Sequence, residues 1–80
     1  IRRLIIAGIR TEQCCETTTR HASDEGWEVD FVGDATLTFD MTTPAGKTLT
    51  AAEIRERTET VLVDRFATLA TVDEALARAR

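Results

Sequence analysis

Arg3-Leu4-Ile5-Ile6-Ala7-Gly8-Ile9, followed at once by Arg10-Thr11-Glu12-Gln13-Cys14-Cys15, is the stretch that decides the fold. Its first part is a continuous apolar run rich in β-branched side chains, the pattern of a strand buried on both faces in a parallel sheet. Gly8 is the place where the backbone can turn tightly as that strand ends. Thr11 is a good N-cap and Glu12 brings negative charge to a first turn, so a helix is expected from here to Glu25. Its inner stripe is Cys14/Cys15, Thr18 and Ala22, and Gly26 stops it as a C′ residue would.

Working outward, Trp27-Glu28-Val29-Asp30-Phe31-Val32 alternates and reads as a second strand ending at Gly33-Asp34. Strand, helix and strand make a βαβ unit with parallel strands. Residues 35–48 read as a long loop with Thr, Pro and Gly punctuation, in which Thr36-Leu37-Thr38-Phe39 is at most a short extended piece. Thr50 and Glu53 form a capping box for a second helix carrying Ala51, Ile54, Thr58, Val61, Leu62 and Phe66 on one face. Phe66 to Thr71 is a third strand and Val72 to Leu76 starts a terminal helix. The expected order is β-α-β-loop-α-β-α, half of a doubly wound α/β sheet.

Composition bounds the function classes. The chain has 80 residues, 42% hydrophobic and 30% charged, with a formal charge of −4. Eighty residues make one small domain at most. Charges are interleaved, and the clusters Arg2-Arg3 and Arg55, Arg57 are too small for the basic footprint that nucleic acid requires. No apolar run approaches the roughly 20 residues needed to cross a bilayer. The opening in mid-strand, without Met, suggests a piece of something longer. Adjacent Cys14 and Cys15 exclude an ordinary disulfide framework, and free thiols fit the cytoplasm. Two thiols and one distant His do not make a zinc site.

In open parallel sheets, sites lie at the carboxyl ends of strands. That rim holds Gly8 to Cys15, Asp34 to Phe39 and Thr71 to Glu74. Cys14 is the leading candidate: first-turn amides and the helix dipole would stabilise its thiolate and could hold an oxyanion. The alternative is a small buried helix residue, as most free cysteines are. Cys15 points away around the helix toward the sheet. His21 lies two turns, about 10 Å, along the axis from Cys14, too far to serve as its base. Asp34 suits a loop-fixing Asx role. Trp27, Phe31, Phe39 and Phe66 read as core residues, while Asp40 and Met41 sit on a loop that borders a pocket.

The run Gly8-Ile9-Arg10-Thr11-Glu12-Gln13-Cys14-Cys15-Glu16-Thr17-Thr18 closely resembles the nucleophile motif of the isochorismatase-like hydrolases, which include nicotinamidases, carbamoylsarcosine amidases and ureidoacrylate hydrolases. Gly26-Trp27-Glu28-Val29, Val32-Gly33-Asp34-Ala35 and the passage from Asp64-Arg65-Phe66-Ala67 to Thr71-Val72-Asp73 carry the likeness along nearly the whole chain. The resemblance implies a three-layer α/β/α fold around a mostly parallel six-stranded sheet, of which residues 1–80 supply the last three strands as a partial domain. It implies a Cys-Asp-Lys mechanism with Cys14 as nucleophile and a thioester-type intermediate. The oxyanion would be held by the backbone N–H groups of Arg10 and Cys14, with a cis peptide at Ile9-Arg10. The matching Asp, Lys and any metal ligands belong to the N-terminal half. No residue here is therefore given those roles, no metal ligand or cofactor is assigned, and the isolated segment is expected to be inactive and unable to fold alone. Cys14 favours C–N bond cleavage in a small-molecule amide. A vinyl-ether hydrolase of the isochorismatase type is the alternative, as is a non-catalytic binding or oligomerisation domain. Family habit implies a homo-oligomer, dimer or tetramer, with Asp34 to Lys47 and the helix from Ala51 as contact surface.

Overall fold

A computed structural model describes residues 3–79, so Arg2 of the small basic pair lies outside the described residues. Strand β1 (Arg3–Ile9) leads through a π-helical turn, Thr11–Cys15, into helix α1 (Glu16–Asp24). Then come β2 (Glu28–Leu37), the short β3 (Met41–Thr42) and β4 (Thr48–Leu49), α2 (Ala51–Leu62), β5 (Thr68–Leu69) and α3 (Val72–Arg78). β1 and β5 both run parallel to β2, giving a three-stranded sheet in the order β1-β2-β5. The α/β class and the element order are those expected from sequence.

The sheet has helices on both faces. On one, Ile6, Val29 and Phe31 pack with Cys15, Ala22 and Leu62 from α1 and α2. The other carries α3, whose Val72, Ala75 and Leu76 share a cavity with Ile5, Ala7, Val32 and Ala35. Residues of opposite parity on β1 thus feed opposite layers, as the pleat requires.

Helix ends follow local chemistry. α1 stops in a Schellman arrangement: the Trp27 N–H donates to the Ala22 carbonyl and the Gly26 N–H to the Ser23 carbonyl, with Gly26 at φ +92°. Thr50 and Glu53 form the expected capping box at α2, and Thr71 with Glu74 form a second one at α3 that the sequence reading passed over.

Several expectations are corrected. Among the described residues β1 is not buried on both faces: of its side chains only that of Ile6 is buried. β2 does not stop at Gly33-Asp34 but continues to Leu37. Its pairing with β1 jumps: Ile6 opposes Phe31, and Gly8 opposes Thr36, so residues 32–35 bulge out of the ladder. The stretch read as a loop contains an antiparallel hairpin, β3-β4, closed by the Thr43 N–H on the Lys47 carbonyl at 2.7 Å, with Gly46 at φ +90°. α2 ends at Leu62, short of Phe66, and β5 is only Thr68–Leu69. The inner stripe of the first helix uses Thr19 rather than Thr18: Thr11, Cys15, Thr19 and Ala22 are buried while Thr18 is exposed.

The candidate active site on the turn after the first strand

Thr11 is not the N-cap. Arg10 holds that position in extended conformation (φ −93°, ψ 151°) and no side chain caps the turn. The Thr11 hydroxyl is buried instead and donates to the Thr36 hydroxyl at 2.7 Å, which donates to the Gly33 carbonyl at 2.8 Å. The Arg10 carbonyl accepts the N–H groups of Gln13 (3.2 Å) and Cys15 (3.1 Å), on either side of Cys14. This wide turn is a π-type feature, a geometry frequent at functional sites. The peptide between Ile9 and Arg10 is cis.

The turn separates its two thiols. Cys14 is exposed and Cys15 buried, with 3% of its surface accessible, so it is Cys15 that fills the structural place. Burial pushes the Cys15 thiol pKa up, and the negative charge developing at Cys14 and that on Glu12 push the same way. Cys14 and Cys15 both border a cavity of about 160 Å³ with Ile5, Ile6, Ala7, Ile9 and Thr18.

Beside Cys14 the turn is gripped by the exit of β2. Thr38 donates to Glu12 Oε1 at 2.7 Å, and the Arg10 guanidinium lies over the Phe39 ring, 5.0 Å from its centroid. Burial works against the Glu12 charge, but the hydrogen bonds from Thr38 and the backbone, with Arg10 and Gln13 nearby, outweigh it and hold the carboxyl below its ordinary pKa. Phe39 is therefore a half-exposed platform, correcting the core assignment, whereas Phe31 is fully buried.

The other candidates separate from this cluster. His21 is exposed, 4.0 Å from Glu25. Asp34 is exposed on the bulge and makes no side-chain hydrogen bond among the described residues; the Thr36 hydroxyl closes that bend, correcting the Asx role. Asp40 accepts the Ala51 N–H at 2.8 Å, and Met41 lines a mostly apolar cavity of about 480 Å³ between the hairpin and α2. Among the described residues, no group of three or more His, Cys, Asp or Glu could hold a metal ion. Among the described residues, no helix is long and apolar enough to cross a membrane.

Two buried carboxylates escaped the sequence reading. Asp30 on β2 meets Arg3 and Arg78. Glu16, at the start of α1, meets Arg20, Arg57 and the Thr58 hydroxyl of α2. Their partners are up to 48 residues distant, so only Arg20, one helical turn from Glu16, was visible as a local signal.

The isochorismatase domain model matches residues 1–74, and the chain belongs to the isochorismatase family. It is 33% identical over 76 residues to the uncharacterized isochorismatase family protein YrdC of Bacillus subtilis (strain 168), covering 95% of this chain and 41% of that protein. It is 45% identical over 40 residues to Nicotinamidase 3 of Arabidopsis thaliana, covering 50% of this chain and 20% of that one. A cysteine hydrolase from Pseudomonas syringae pv. phaseolicola 1448A superposes with a TM-score of 0.88 at 26% identity, over 98% of this chain and 37% of that structure. The chain thus spans about two fifths of the length of YrdC and of that hydrolase.

Proposed function

We propose that these residues form the nucleophile-bearing part of a cysteine hydrolase that cleaves the C–N bond of a small-molecule amide. The observation that carries this reading is the exposed Cys14 on a π-turn whose Arg10 carbonyl takes the amides on both sides of it. The Cys14 sulfur attacks the amide carbonyl carbon, and the oxygen takes the negative charge next to the backbone N–H groups of Arg10 and Cys14. Collapse breaks the C–N bond, the leaving nitrogen takes the proton that the Cys14 thiol gave up, and a thioester remains. Water then attacks the thioester, releasing the acid and regenerating the thiol. The base and the charge-organising lysine that the family resemblance calls for have no counterpart in these 80 residues. Turnover by the segment alone is therefore not expected.

The match to a nicotinamidase supports amide over vinyl-ether chemistry and makes nicotinamide the first probe. In the protein as its gene encodes it, Cys14→Ala should abolish ammonia release, and acid quenching of the wild type should trap an acyl adduct on Cys14 by mass. Ammonia release undiminished in Cys14→Ala would refute the reading; a folded protein inert toward a broad amide panel would favour the non-catalytic one. The two free thiols support a reducing, cytoplasmic setting. We also propose a homo-oligomer that covers the exposed side chains Leu37, Phe39 and Met41.

A further inference from the structure

Three consecutive residues of the nucleophile turn each hold one residue of the β2 exit. Arg10 lies on Phe39, Thr11 bonds Thr36, and Glu12 accepts from Thr38. Only the middle link is fully inside: Thr11 is buried to 1% exposure and Thr36 to 8%. Its chain of hydroxyls ends on the Gly33 carbonyl, within the bulge that lets β2 rejoin β1 at Gly8 and Thr36. The bulge and the turn are thus one unit, in which the hydroxyls extend the closure that the ladder resumes at Gly8–Thr36 and Ile9–Leu37.

We infer that Thr36 is a positioning residue for Cys14, with Thr38 as its outer support: the β2 exit fixes the turn that aims the thiol. The physical reason is specific. Between Ile6 and Gly8 the ladder to β2 is interrupted, and the turn begins directly after Ile9. After that interruption only Gly8–Thr36 and Ile9–Leu37 pair before the turn, and a buried hydroxyl without a partner is strongly disfavoured, so the Thr11–Thr36 bond adds the link that holds the turn in one arrangement. Thr36 touches no reacting atom and acts through Thr11.

The inference rests on Cys14 being the reactive thiol, and its test does not need turnover. Cys14 alkylation by iodoacetamide is followed by peptide mass across the pH range of thiol ionisation, in the protein as its gene encodes it. The variants are Thr36→Val, which keeps the shape without the hydroxyl, and Thr36→Ser, which restores the hydroxyl. The rate at Cys14 should move by roughly two- to tenfold in Thr36→Val, the range that one hydrogen bond corresponds to. Thr36→Ser should return it toward wild type. An unchanged profile in a folded Thr36→Val protein overturns the inference, as does a shift that Thr36→Ser fails to reverse. If Thr36→Val does not fold, Thr38→Val decides by the same measure, since it loosens Glu12 from the partly buried side. Loss of hydrolysis in Cys14→Ala is read separately, so a failure of the functional reading leaves the alkylation result standing.

Discussion

Replacing Arg3 and Arg78 together by Met should destabilise the protein more than removing the carboxylate they share. Asp30 has a fully buried side chain, 3.2 Å from Arg3 Nη1 and 3.1 Å from Arg78 Nε, whereas the two arginine side chains are 32% and 36% exposed. In Asp30→Ala the Arg78 guanidinium turns to water, while Arg3 keeps its 2.7 Å pair with Glu28. The loss of two charge-assisted hydrogen bonds, about 1.5–3 kcal/mol each, is offset by sparing the desolvation of a carboxylate, several kcal/mol. Solvent screening of the half-open arginines lowers the loss further, leaving about 1–2 kcal/mol. The double arginine variant instead strands a buried charge, which costs about 3–5 kcal/mol. With a slope near 2 kcal/mol per molar urea, the midpoint should fall by about 2 M in the double variant and by under 1 M in Asp30→Ala. Urea melts followed by Trp27 fluorescence and far-UV circular dichroism measure both. A larger loss in Asp30→Ala than in the double variant would refute the argument that the carboxylate is the desolvated partner.

Of the two neighbouring thiols, native alkylation should label Cys14, and Cys15 only in urea, because Cys15 is buried and its thiol pKa is raised; peptide mass spectrometry checks this. Leu62→Ala, at a fully buried site beside Phe31 and Ala22, should cost about 2–5 kcal/mol in a chemical melt. Gly33→Ala puts a Cβ against the Glu59 and Arg55 side-chain ends, breaking their 3.0 Å ion pair. Those ends can swing away, so a loss of about 1 kcal/mol is expected in the same melt. The Glu53 and Glu74 carboxyls are held below the ordinary value by hydrogen bonds from the backbone and hydroxyl of Thr50 and Thr71. A depressed folded pKa gives stability that is present above the unfolded value, about 4.3. That stability is lost as pH falls through the folded value. Helix content on acid titration should fall there, with a flatter profile in Glu53→Gln.

What was legible in the sequence was local. Gly26, Thr50 with Glu53, and the apolar run of β1 each act within a few residues, and each gave its element. The length of β2 is not legible because Gly33-Asp34 carries turn chemistry, while the strand resumes by pairing with Gly8 and Ile9 of β1, 28 residues away in sequence. The hairpin was missed because its strands are two residues each, too short for alternation to register. At the site, Cys14 was legible because a thiol just past a strand–turn is unusual chemistry in a usual place. The grip on its turn was not, since Thr36, Thr38 and Phe39 act only through contacts across the rim.

The same rim explains why one thiol of the pair is exposed and its neighbour buried. In a turn opened to π geometry, the Arg10 carbonyl reaches Cys15, whose own carbonyl accepts the Thr19 hydroxyl at 2.8 Å and so starts the buried stripe of α1. Glu16 then anchors the helix to α2 through Arg57 and Thr58. With the helix fixed from below by Glu16 and the turn fixed from the side by Thr36, Cys15 is held toward the core, where Ala22 and Leu62 pack. Cys14, one residue earlier, is left exposed beside Ile5, Ala7 and Ile9 of β1. A substitution that freed the Glu16 anchor, such as Glu16→Ala, should therefore blur the difference between the two thiols and raise native alkylation of Cys15. Unaltered protection of Cys15 in that variant would mean that the sheet alone, and not the helix anchor, decides which sulfur meets solvent.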